Sequence, residues 1–563
     1  MLQNLSSAQT GLSTSQSAIE NISNNLANEN TPGYIKRTVS LSEMDNSKTT
    51  YANGVQISSV DRAANEYMAL KIQGETSKES YYSKSSSVYE SLETIFIETD
   101  TSGLSKSQSN FFFAIENLRG NPNSEVYKAE LISSANEYIY SMQSVYSDVE
   151  NLQTSLKDEM YTQVNQVNKL TSQIAELNND IANNPNSLEL LDKRDLLVSE
   201  LSTYGDIEVS DEENYYQIKM AGQSVVFNNT SNELNVVEDY TSQIDIYDND
   251  ALDDSNITDG QTISITLNNG KTISVIADTT GASDNDVKQQ LVDALNLDPT
   301  MNETLKASLD DKGNLVVESK EQGEEAFFDL EIQIVDTKTN ISKNENLSQM
   351  ATDDVHIESY DKRLEFSYGS LKTLDENTTT TNPNNVLYQT QKSLNDLAYS
   401  IIDSMSSYVD EDGEYIYGED TTSTYTGAST VNDVNLFSGS SVMSMSFNSN
   451  SLNDISQEDL DYLGSLQFKD DFNINSNHST AKQSYSDFLI ELRVNVASTK
   501  ESMDLKLETQ ESIVISLQSS YDQISKVDSD EEMINLLKFQ SAYEANAKVI
   551  TAMDEMIQTI LNM

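Results

Sequence analysis

Residues 5–34 of the chain read LSSAQTGLSTSQSAIENISNNLANENTPGY, and this stretch decides how the protein is organised. Apolar or small residues recur at heptad spacing, with a second row between them at the offset of a coiled-coil seam. The pattern stops at Asn28, and Pro32-Gly33 follows as a terminator. We therefore predict one amphipathic helix whose narrow stripe needs a partner. The stripe consists of Leu5, Ala8, Leu12, Ser15, Ile19, Ile22 and Leu26.

Residues 529–563 carry a matching stripe at the other end of the sequence. Ser529-Asp530-Glu531-Glu532 predicts a capping box, in which Ser529 satisfies a free helix amide and Glu532 reaches back. The stripe contains one polar residue, Asn546, and a single Asn in such a seam often sets its register. We expect the two terminal helices to pack on each other or on neighbouring chains. The second stripe consists of Leu536, Phe539, Tyr543, Asn546, Ile550, Met553, Ile557 and Ile560.

The composition limits the classes of protein to which the chain can belong. Its 563 residues are too many for one hydrophobic core, so several domains are expected. The 34 Lys and Arg against 92 Asp and Glu give a net charge of -58, which opposes binding to nucleic acid or to an anionic membrane. The absence of Cys suits a protein that works outside the cell. We expect neither membrane insertion nor a cleaved signal peptide, because the required apolar runs are missing.

Between the two ends, the periodicity changes from helical to β-like and back. Helical spacing dominates 60–205, resumes near Leu394 and dominates again after Ser484, with a polar excursion over 410–480, and 206–384 is β-rich. We therefore predict a mainly α fold with an inserted β-rich domain and paired, coiled-coil-like terminal helices. The strongest hairpin signal is the run Ile263, Ile265, Leu267, the turn Asn268-Asn269-Gly270, and then Ile273 and Val275.

The nesting of these segments predicts three domains. Residues 1–30 and 530–563 form a terminal helical assembly domain. Residues 31–205 and 385–529 form a discontinuous helical domain, and residues 206–384 form a β-rich outer domain.

Motifs at both ends resemble the axial proteins of bacterial flagella. Rod, hook and hook-associated proteins share a signature that this chain matches at Ser7-Ala8-Gln9-Thr10-Gly11-Leu12, Asn25-Leu26-Ala27-Asn28 and Thr31-Pro32-Gly33-Tyr34. Further motifs narrow the resemblance to the hook-associated protein 1 family. They are Gly103-Leu104, Asn110-Phe111-Phe112, Asn121-Pro122, Leu190-Leu191-Asp192-Lys193-Arg194-Asp195, Gly369-Ser370-Leu371 and the segment from Asp530 to Met553.

The resemblance implies a structural subunit that joins the hook to the filament and polymerises through its terminal helices. It also implies partners: further copies of the chain, the hook subunit, and the second junction protein or the filament. A dedicated chaperone would bind the C-terminal helix before export by the flagellar type III route, and the protein would reside in the extracellular flagellum. The same resemblance implies a hinge between the inner tube and the next domain, formed by Asn25, Asn28, Thr31, Gly33 and Tyr34.

Nothing in the sequence favours catalysis, a cofactor or a bound metal. The two histidines, His356 and His478, do not form the helical pair of ligands that a zinc protease requires. Residues 410–419 contain an acidic Gly-bearing turn, but Tyr408 occupies the position where a calcium loop begins with Asp. We therefore expect no enzyme and no cofactor, and interpret 410–419 as an acidic turn before a strand.

Two alternatives remain open. Another axial protein, such as the hook subunit or the second junction protein, would share the terminal helices. The motifs at 111–122 and 190–195 argue against the hook subunit, which is not expected to carry them. A secreted coiled-coil adhesin would explain the acidity and the absence of Cys. It would not explain the turn motif at 25–34 combined with a helix that continues to Met563.

Overall fold

The structure is a computed structural model, and it describes most of the chain in separate ranges. These are residues 2–44, 54–98, 102–212, 215–246, 261–267, 272–277, 286–298, 305–309, 315–320, 329–335, 342–348, 350–360, 362–379, 382, 384–409, 415–417, 434–439, 441–453, 455–470, 472, 474 and 483–561.

Long helices form most of the described structure. Eleven α-helices in these ranges run in chain order as α1 Leu2–Ala27, α2 Glu66–Ile95, α3 Leu104–Gly120, α4 Glu125–Asn183, α5 Leu188–Leu201, α6 Asp286–Leu297, α7 Ser370–Thr378, α8 Val386–Ser404, α9 Gln457–Ser465, α10 Tyr485–Ser525 and α11 Ser529–Leu561.

The strands form antiparallel sheets. They are β1 Arg37–Glu43, β2 Val55–Arg62, β3 Ile207–Glu212, β4 Tyr215–Met220, β5 Gln223–Phe227, β6 Thr230–Ser231, β7 Asn235–Ile246, β8 Thr262–Leu267, β9 Thr272–Ile276, β10 Leu305–Leu309, β11 Leu315–Ser319, β12 Asp329–Val335, β13 Ser342–Ser348, β14 Met350–Ser359, β15 Lys362–Arg363, β16 Ser407–Val409, β17 Tyr415–Tyr417, β18 Phe437–Ser438 and β19 Ser446–Phe447. The larger sheets have the orders β3-β4-β5-β6, β10-β11-β7-β14-β15 and β13-β12-β8-β9.

Helices α2 and α10 pack side by side in antiparallel orientation. The Gln510 amide donates to the backbone carbonyl of Glu75 at 3.0 Å and to its carboxylate at 2.6 Å. Near the opposite end of the pair, the Arg493 guanidinium donates to Glu98 at 3.0 Å. Helix α10 begins where the return of helical periodicity predicts, with the Ser484 hydroxyl accepting from the amide of Asp487.

The chain enters and leaves the inserted β-rich region at one place, where the residues that follow α5 contact the start of α7. Amides at the start of α7, those of Ser370 and Leu371, donate to the carbonyls of Thr203 and Tyr204, which follow α5. At this crossing Gly369 has φ +100 and lies against Gly205, where a side chain would meet backbone atoms. The chain is therefore mainly α-helical with an inserted β-rich region, as its periodicity predicts.

Within the insertion, the predicted hairpin is present. Strands β8 and β9 pair with Ile263 opposite Val275 and Ile265 opposite Ile273, while the turn Asn268-Asn269-Gly270 lies outside the described residues. This hairpin and α6 share a small core that is separate from the main core of the molecule. The small core contains Ile263, Ile265, Ala277, Leu291, Val292, Leu295, Leu305, Ala307, Leu315 and Val317.

One element differs from the sequence-based expectation. Residues 37–62 contain the antiparallel hairpin β1–β2, inside the range 31–205 that is predicted to belong to a helical domain. Half-buried and exposed residues alternate over most of both strands, but the exposed residues are mostly Ser, Thr and charged residues. A polar two-stranded ribbon gives a weak period-two signal, and the neighbouring helices obscured it. The acidic turn at 410–419 and His478 fall largely or wholly outside the described ranges.

None of the helices in the described ranges combines the length and the apolar composition that crossing a membrane requires.

One buried carboxyl in the helical part makes stability depend on pH. Burial raises the pKa of Asp396, on α8, to about 7, and Lys392 on the preceding turn only partly offsets this rise. Its Oδ2 atom has no hydrogen-bond partner among the described residues. The folded state therefore keeps a proton that the unfolded chain releases near its ordinary pKa. The contribution of Asp396 to stability therefore falls as pH rises from about 4 to about 7.

We predict that Asp396→Asn stabilises the protein above pH 7, by up to about 4 kcal/mol, and has little effect near pH 4. Thermal unfolding midpoints of the parent and the variant, measured across this pH range, test the prediction. The matched control is Asp148→Asn, which removes one carboxylate from an exposed position on α4. An advantage of Asp396→Asn that does not grow with pH would contradict the assignment.

Candidate functional site: the terminal helix pair and its junction

Helices α1 and α11 pack against each other in antiparallel orientation, and we call them the terminal helix pair. Gly11 faces Asn546, and Asn25 faces Glu532, so the numbers rise along α1 as they fall along α11. The inner face of α1 is built almost wholly of small or short side chains. The buried residues along it are Ala8, Gly11, Thr14, Ser15, Ala18, Ile22 and Asn25.

Gly11 lies against the side chain of Asn546 at the middle of the terminal helix pair. A Cβ at this position would lie 2.8 Å from Nδ2 of Asn546, which is closer than side chains normally approach. Asn546 is half-buried at this contact. Asn546 thus contacts α1 at Gly11, and its role in setting the register stays a prediction.

The apolar row Leu5, Leu12, Ile19 and Leu26 does not lie at the centre of this contact. These side chains are only half-buried and flank the small residues, whereas Ile22 is buried. On α11, Leu536, Phe539, Asn546, Ile550 and Ile557 are half-buried against α1, and Met553 is buried. Tyr543 keeps 37% of its surface exposed, and the side chain of Ile560 is not described. The structure therefore brings the two predicted stripes together but leaves the largest residues of α1 at the edge.

Where the pair meets the rest of the molecule, the amide of Asn25 forms four hydrogen bonds. Its Oδ1 atom accepts from the Tyr34 hydroxyl at 2.8 Å and from the Arg37 amide at 3.1 Å. Its Nδ2 atom donates to the Arg37 carbonyl at 2.9 Å and to Oε2 of Glu532 at 3.2 Å. Asn25 is 1% exposed. One side chain thus joins α1, the start of β1 and α11, and we call this cluster the junction.

Glu532 occupies this junction and does not complete the predicted capping box. Helix α11 is capped one residue earlier, by Asp528, whose Oδ1 accepts from the amides of Asp530 and Glu531 at 3.0 and 3.1 Å. The Glu532 side chain is buried between Asn25 and Lys36, with 3.7 Å between its Oε1 and Nζ of Lys36. The capping-box prediction was wrong because a tertiary partner binds the carboxylate that a local motif would otherwise use.

The turn between α1 and β1 holds the remaining predicted hinge residues. The Thr31 amide donates to the Asn28 carbonyl at 2.9 Å, and the Thr31 hydroxyl donates to the Asn28 side chain at 3.2 Å. Gly33 adopts φ +76, and a Cβ there would lie 3.3 Å from side-chain atoms of Leu196 on α5. The turn is therefore folded by its own hydrogen bonds and packed on a neighbouring helix.

A network of charged side chains joins the junction to α5. Asp192 lies between two guanidinium groups, 3.4 Å from Arg37 and 2.9 Å from Arg62, and Arg62 also pairs with Asp195. Burial raises the pKa of Asp192, and both arginines partly offset that rise. The Arg37 guanidinium also lies over the Tyr34 ring at 5.0 Å, and burial raises the pKa of the Tyr34 hydroxyl.

Sequence reasoning missed several residues of this network. Lys36, Arg37 and Arg62 were not singled out, although Lys36-Arg37 is a basic pair directly after the signature turn in a strongly acidic chain. The isolated basic pair Lys36-Arg37 was the sequence feature that could have pointed to this network. Asp192 and Asp195 did enter the resemblance, and the structure places them beside the turn at 28–34.

The hydrogen bonds and ion pairs of the junction hold α1, β1, α5 and α11 together. Among the residues that the structure describes, no group of three or more His, Asp or Glu side chains is placed to hold a metal ion. The described His356 is buried in β14 and lies 3.1 Å from Glu358 on the same strand.

Three family models match the chain. The family described as "Flagellar hook-associated protein FlgK helical domain" matches residues 89–318. "Flagella basal body rod protein" matches residues 5–34, and "Flagellar basal body rod FlgEFG protein C-terminal" matches residues 518–563. The last two matches coincide with α1 plus its turn and with α11 plus the end of α10.

The curated relatives that match the chain are also flagellar hook-associated proteins. "Flagellar hook-associated protein 1" of Bacillus subtilis is 32% identical over 222 residues, which cover 37% of this chain and 43% of the relative. The proteins of that name in Salmonella typhimurium and Escherichia coli K12 are 28% and 27% identical, over 41% of this chain and 43% and 44% of their own length. This chain is similar to the flagellar hook-associated protein 1 family.

The matches to these hook-associated proteins span less than half of each relative's length. Among solved structures, the flagellar hook junction protein FlgK from Burkholderia pseudomallei is similar at a TM-score of 0.35 and 17% identity. That alignment covers 62% of this chain and 46% of the other.

We predict that Asn25→Asp loosens the terminal helix pair. An oxygen would replace the Nδ2 donor and face two acceptors, the Arg37 carbonyl and the Glu532 carboxylate. The expected cost is about 1–3 kcal/mol, since a buried acceptor loses its donor. Amide hydrogen exchange in α1 should then accelerate roughly ten- to hundredfold, and mass spectrometry of peptides from residues 2–27 measures it.

Asn24→Asp is the matched control, because Asn24 is exposed and its side chain uses only its oxygen, as an acceptor from Asn28. The double variant Asn25→Asp/Glu532→Gln returns a donor to the junction and should recover part of the protection. Equal exchange in the Asn25→Asp and Asn24→Asp proteins would contradict the role given to Asn25.

Proposed function

We propose that this chain is the structural subunit that joins the flagellar hook to the filament and polymerises through the terminal helix pair. One observation carries the proposal: the segments matched by the two rod-protein families form a single antiparallel pair locked by the junction. The intervening helical part matches a hook-associated family. Because the two ends of the chain form the assembly surface, the sequence between them is free to vary.

Exposed apolar side chains on the terminal helix pair support its role in assembly. On α11, Ile534 and Leu537 are 67% and 61% exposed. Together with the half-buried leucine row at the edge of α1, they leave apolar surface on both sides of the pair. Burying such surface against further copies would stabilise an axial tube, at about 25 cal/mol for each Å² removed from water.

The remaining parts of the proposal concern organisation, partners and location. We assign residues 1–30 and 530–563 to the assembly domain, 31–205 and 385–529 to the helical domain, and 206–384 to the outer domain. Partners are further copies, the hook subunit, and the second junction protein or filament. An export chaperone binds the C-terminal helix, and the flagellar export route delivers the protein to the cell exterior. Its role is structural, with no catalysis and no cofactor.

Two other functions would use the same helix pair differently. A hook subunit or the second junction protein would also assemble through it, but the match over 89–318 favours the hook-associated family. A secreted adhesin has no need of a junction built from the rod-family signature. Both alternatives make different predictions for a deletion strain.

We predict that deleting this gene gives hooks without filaments, with flagellin lost to the medium. Electron microscopy and immunoblots of the culture medium measure both, and restoring the full gene should restore filaments. Cells without hooks would instead assign the chain to the hook or rod. Intact motile flagella would contradict the proposal and favour an adhesin.

In the same strain, a chain lacking residues 545–563 should be folded but unable to support filaments. The deletion removes Asn546, Ile550 and Met553 from the face that packs on α1, while the main core remains. Circular dichroism of the purified truncated chain provides the folding control. Normal swimming with this chain would show that α11 beyond residue 544 is dispensable.

A further inference from the structure

A groove of about 910 Å³ lies where α10 ends and α11 begins, beside the turn that follows α1. Val514, Ile515 and Val527 give it an apolar floor, and Ile515 keeps 68% of its surface exposed. Large aliphatic side chains that are this accessible, inside a concave surface, suit an apolar partner.

The rim of this groove is acidic. Five carboxylates against the single ammonium of Lys526 give the lining a net charge of -4, and Asp522 already pairs with that lysine. Asp528 caps α11 and Glu531 pairs with Lys36. The side chains of Glu29 and Asp530 have no hydrogen-bond or ion-pair partner among the described residues, so they can accept a cation. The five carboxylates are Glu29, Asp522, Asp528, Asp530 and Glu531.

The outer face of α11 has the complementary character. At 100° per residue, Ile534, Leu537, Lys538 and Lys548 lie within one sector of the helix, opposite the residues that contact α1. Both lysines are exposed, and neither pairs with a carboxylate within the described ranges. In a chain with 34 basic and 92 acidic residues, two unpaired cations beside exposed aliphatic side chains form a specific surface.

We propose that the outer face of α11 of one copy docks into this groove of a second copy. Ile534 and Leu537 would contact the apolar floor, and Lys538 would approach Glu29 and Asp530. This inference rests on the proposed function and specifies how neighbouring subunits contact each other in the assembly. Asp530, at the rim of the groove, lies one turn before Ile534 on the same face of α11, so the groove and the outer face adjoin. A contact in which the outer face of one copy enters the groove of the next uses two non-equivalent surfaces, so it is head-to-tail and propagates into a ring or helix, as an axial structure requires.

A single copy cannot make this contact with itself. Asp530 and Lys538 lie on the same straight helix, eight residues and about 12 Å apart along its axis. The complementary charges must therefore meet between copies. With a net charge of -58, two copies of the chain repel each other at long range. The local attraction between the lysines of the outer face and the acidic rim of the groove would therefore orient one copy against the next.

Cysteine cross-linking tests the contact, since the chain has no Cys of its own. The variant Asp530→Cys/Lys538→Cys is expressed in the deletion strain, and isolated flagella are oxidised and examined by non-reducing electrophoresis. A disulfide needs Cα atoms within about 7 Å, so the two positions of one copy cannot be bridged. We expect a reducible ladder of dimers and larger species.

The matched control is Asp530→Cys/Lys106→Cys, in which the second thiol replaces an exposed lysine on α3. It should remain monomeric, as should each single-Cys variant. A variant with both thiols that stays monomeric in flagella that carry filaments would overturn the docking mode and leave the proposed function standing. Cross-links to a different protein would likewise overturn it. If the deletion strain forms normal filaments, the proposed function itself fails.

Charge reversal provides a second measurement that needs no disulfide. Lys538→Glu/Lys548→Glu should reduce filaments per cell at least tenfold, and adding Glu29→Lys/Asp530→Lys should restore them. The control Lys106→Glu reverses the charge of one exposed lysine on α3 and should leave filament number unchanged. Filament numbers that do not respond to the reversal of both lysines would overturn the contact.

Discussion

The proposed assembly surface depends most on the packing of α1 against α11. Small residues on the inner face of α1, above all Gly11, let the two helix axes come together, and Asn546 fits the space that Gly11 leaves. At the end of the pair, Asn25 and Glu532 close the contact with a buried hydrogen bond. A larger residue at Gly11 would require the Asn546 side chain to move, and an unpaired carboxylate at 532 would weaken the contact between the two helices.

From the junction, the same contact organises the neighbouring elements. Lys36 and Arg37 extend it to α10 and α5, because the Lys36 amide donates to the Ser525 carbonyl at 2.7 Å and Arg37 pairs with Asp192. The turn at 28–34, expected to act as a hinge, is therefore bonded on several sides. Its residues set the direction in which the terminal helix pair leaves the body of the protein, as the proposed role in an ordered tube requires.

The sequence predicted the architecture well where periodicity was strong. The two stripes, the start of α10 at Ser484 and the β8–β9 hairpin all follow from spacing and turn chemistry. The site was predicted only in part. Periodicity does not distinguish the leucine row of α1 from the smaller residues that make the contact, and it cannot reveal that Glu532 pairs with Asn25 across 507 positions. The cap at Asp528 and the ribbon β1–β2 were missed for the same reason, since tertiary partners outweigh weak local signals.

The most direct test of the central claim is electron cryomicroscopy of the hook–filament junction in isolated flagella. The account predicts that this chain lies between hook and filament, with α1 and α11 of the same copy paired in antiparallel orientation and Gly11 against Asn546. A junction that lacks this chain, or a map in which α1 pairs with a helix of another copy while α11 lies elsewhere, would contradict it.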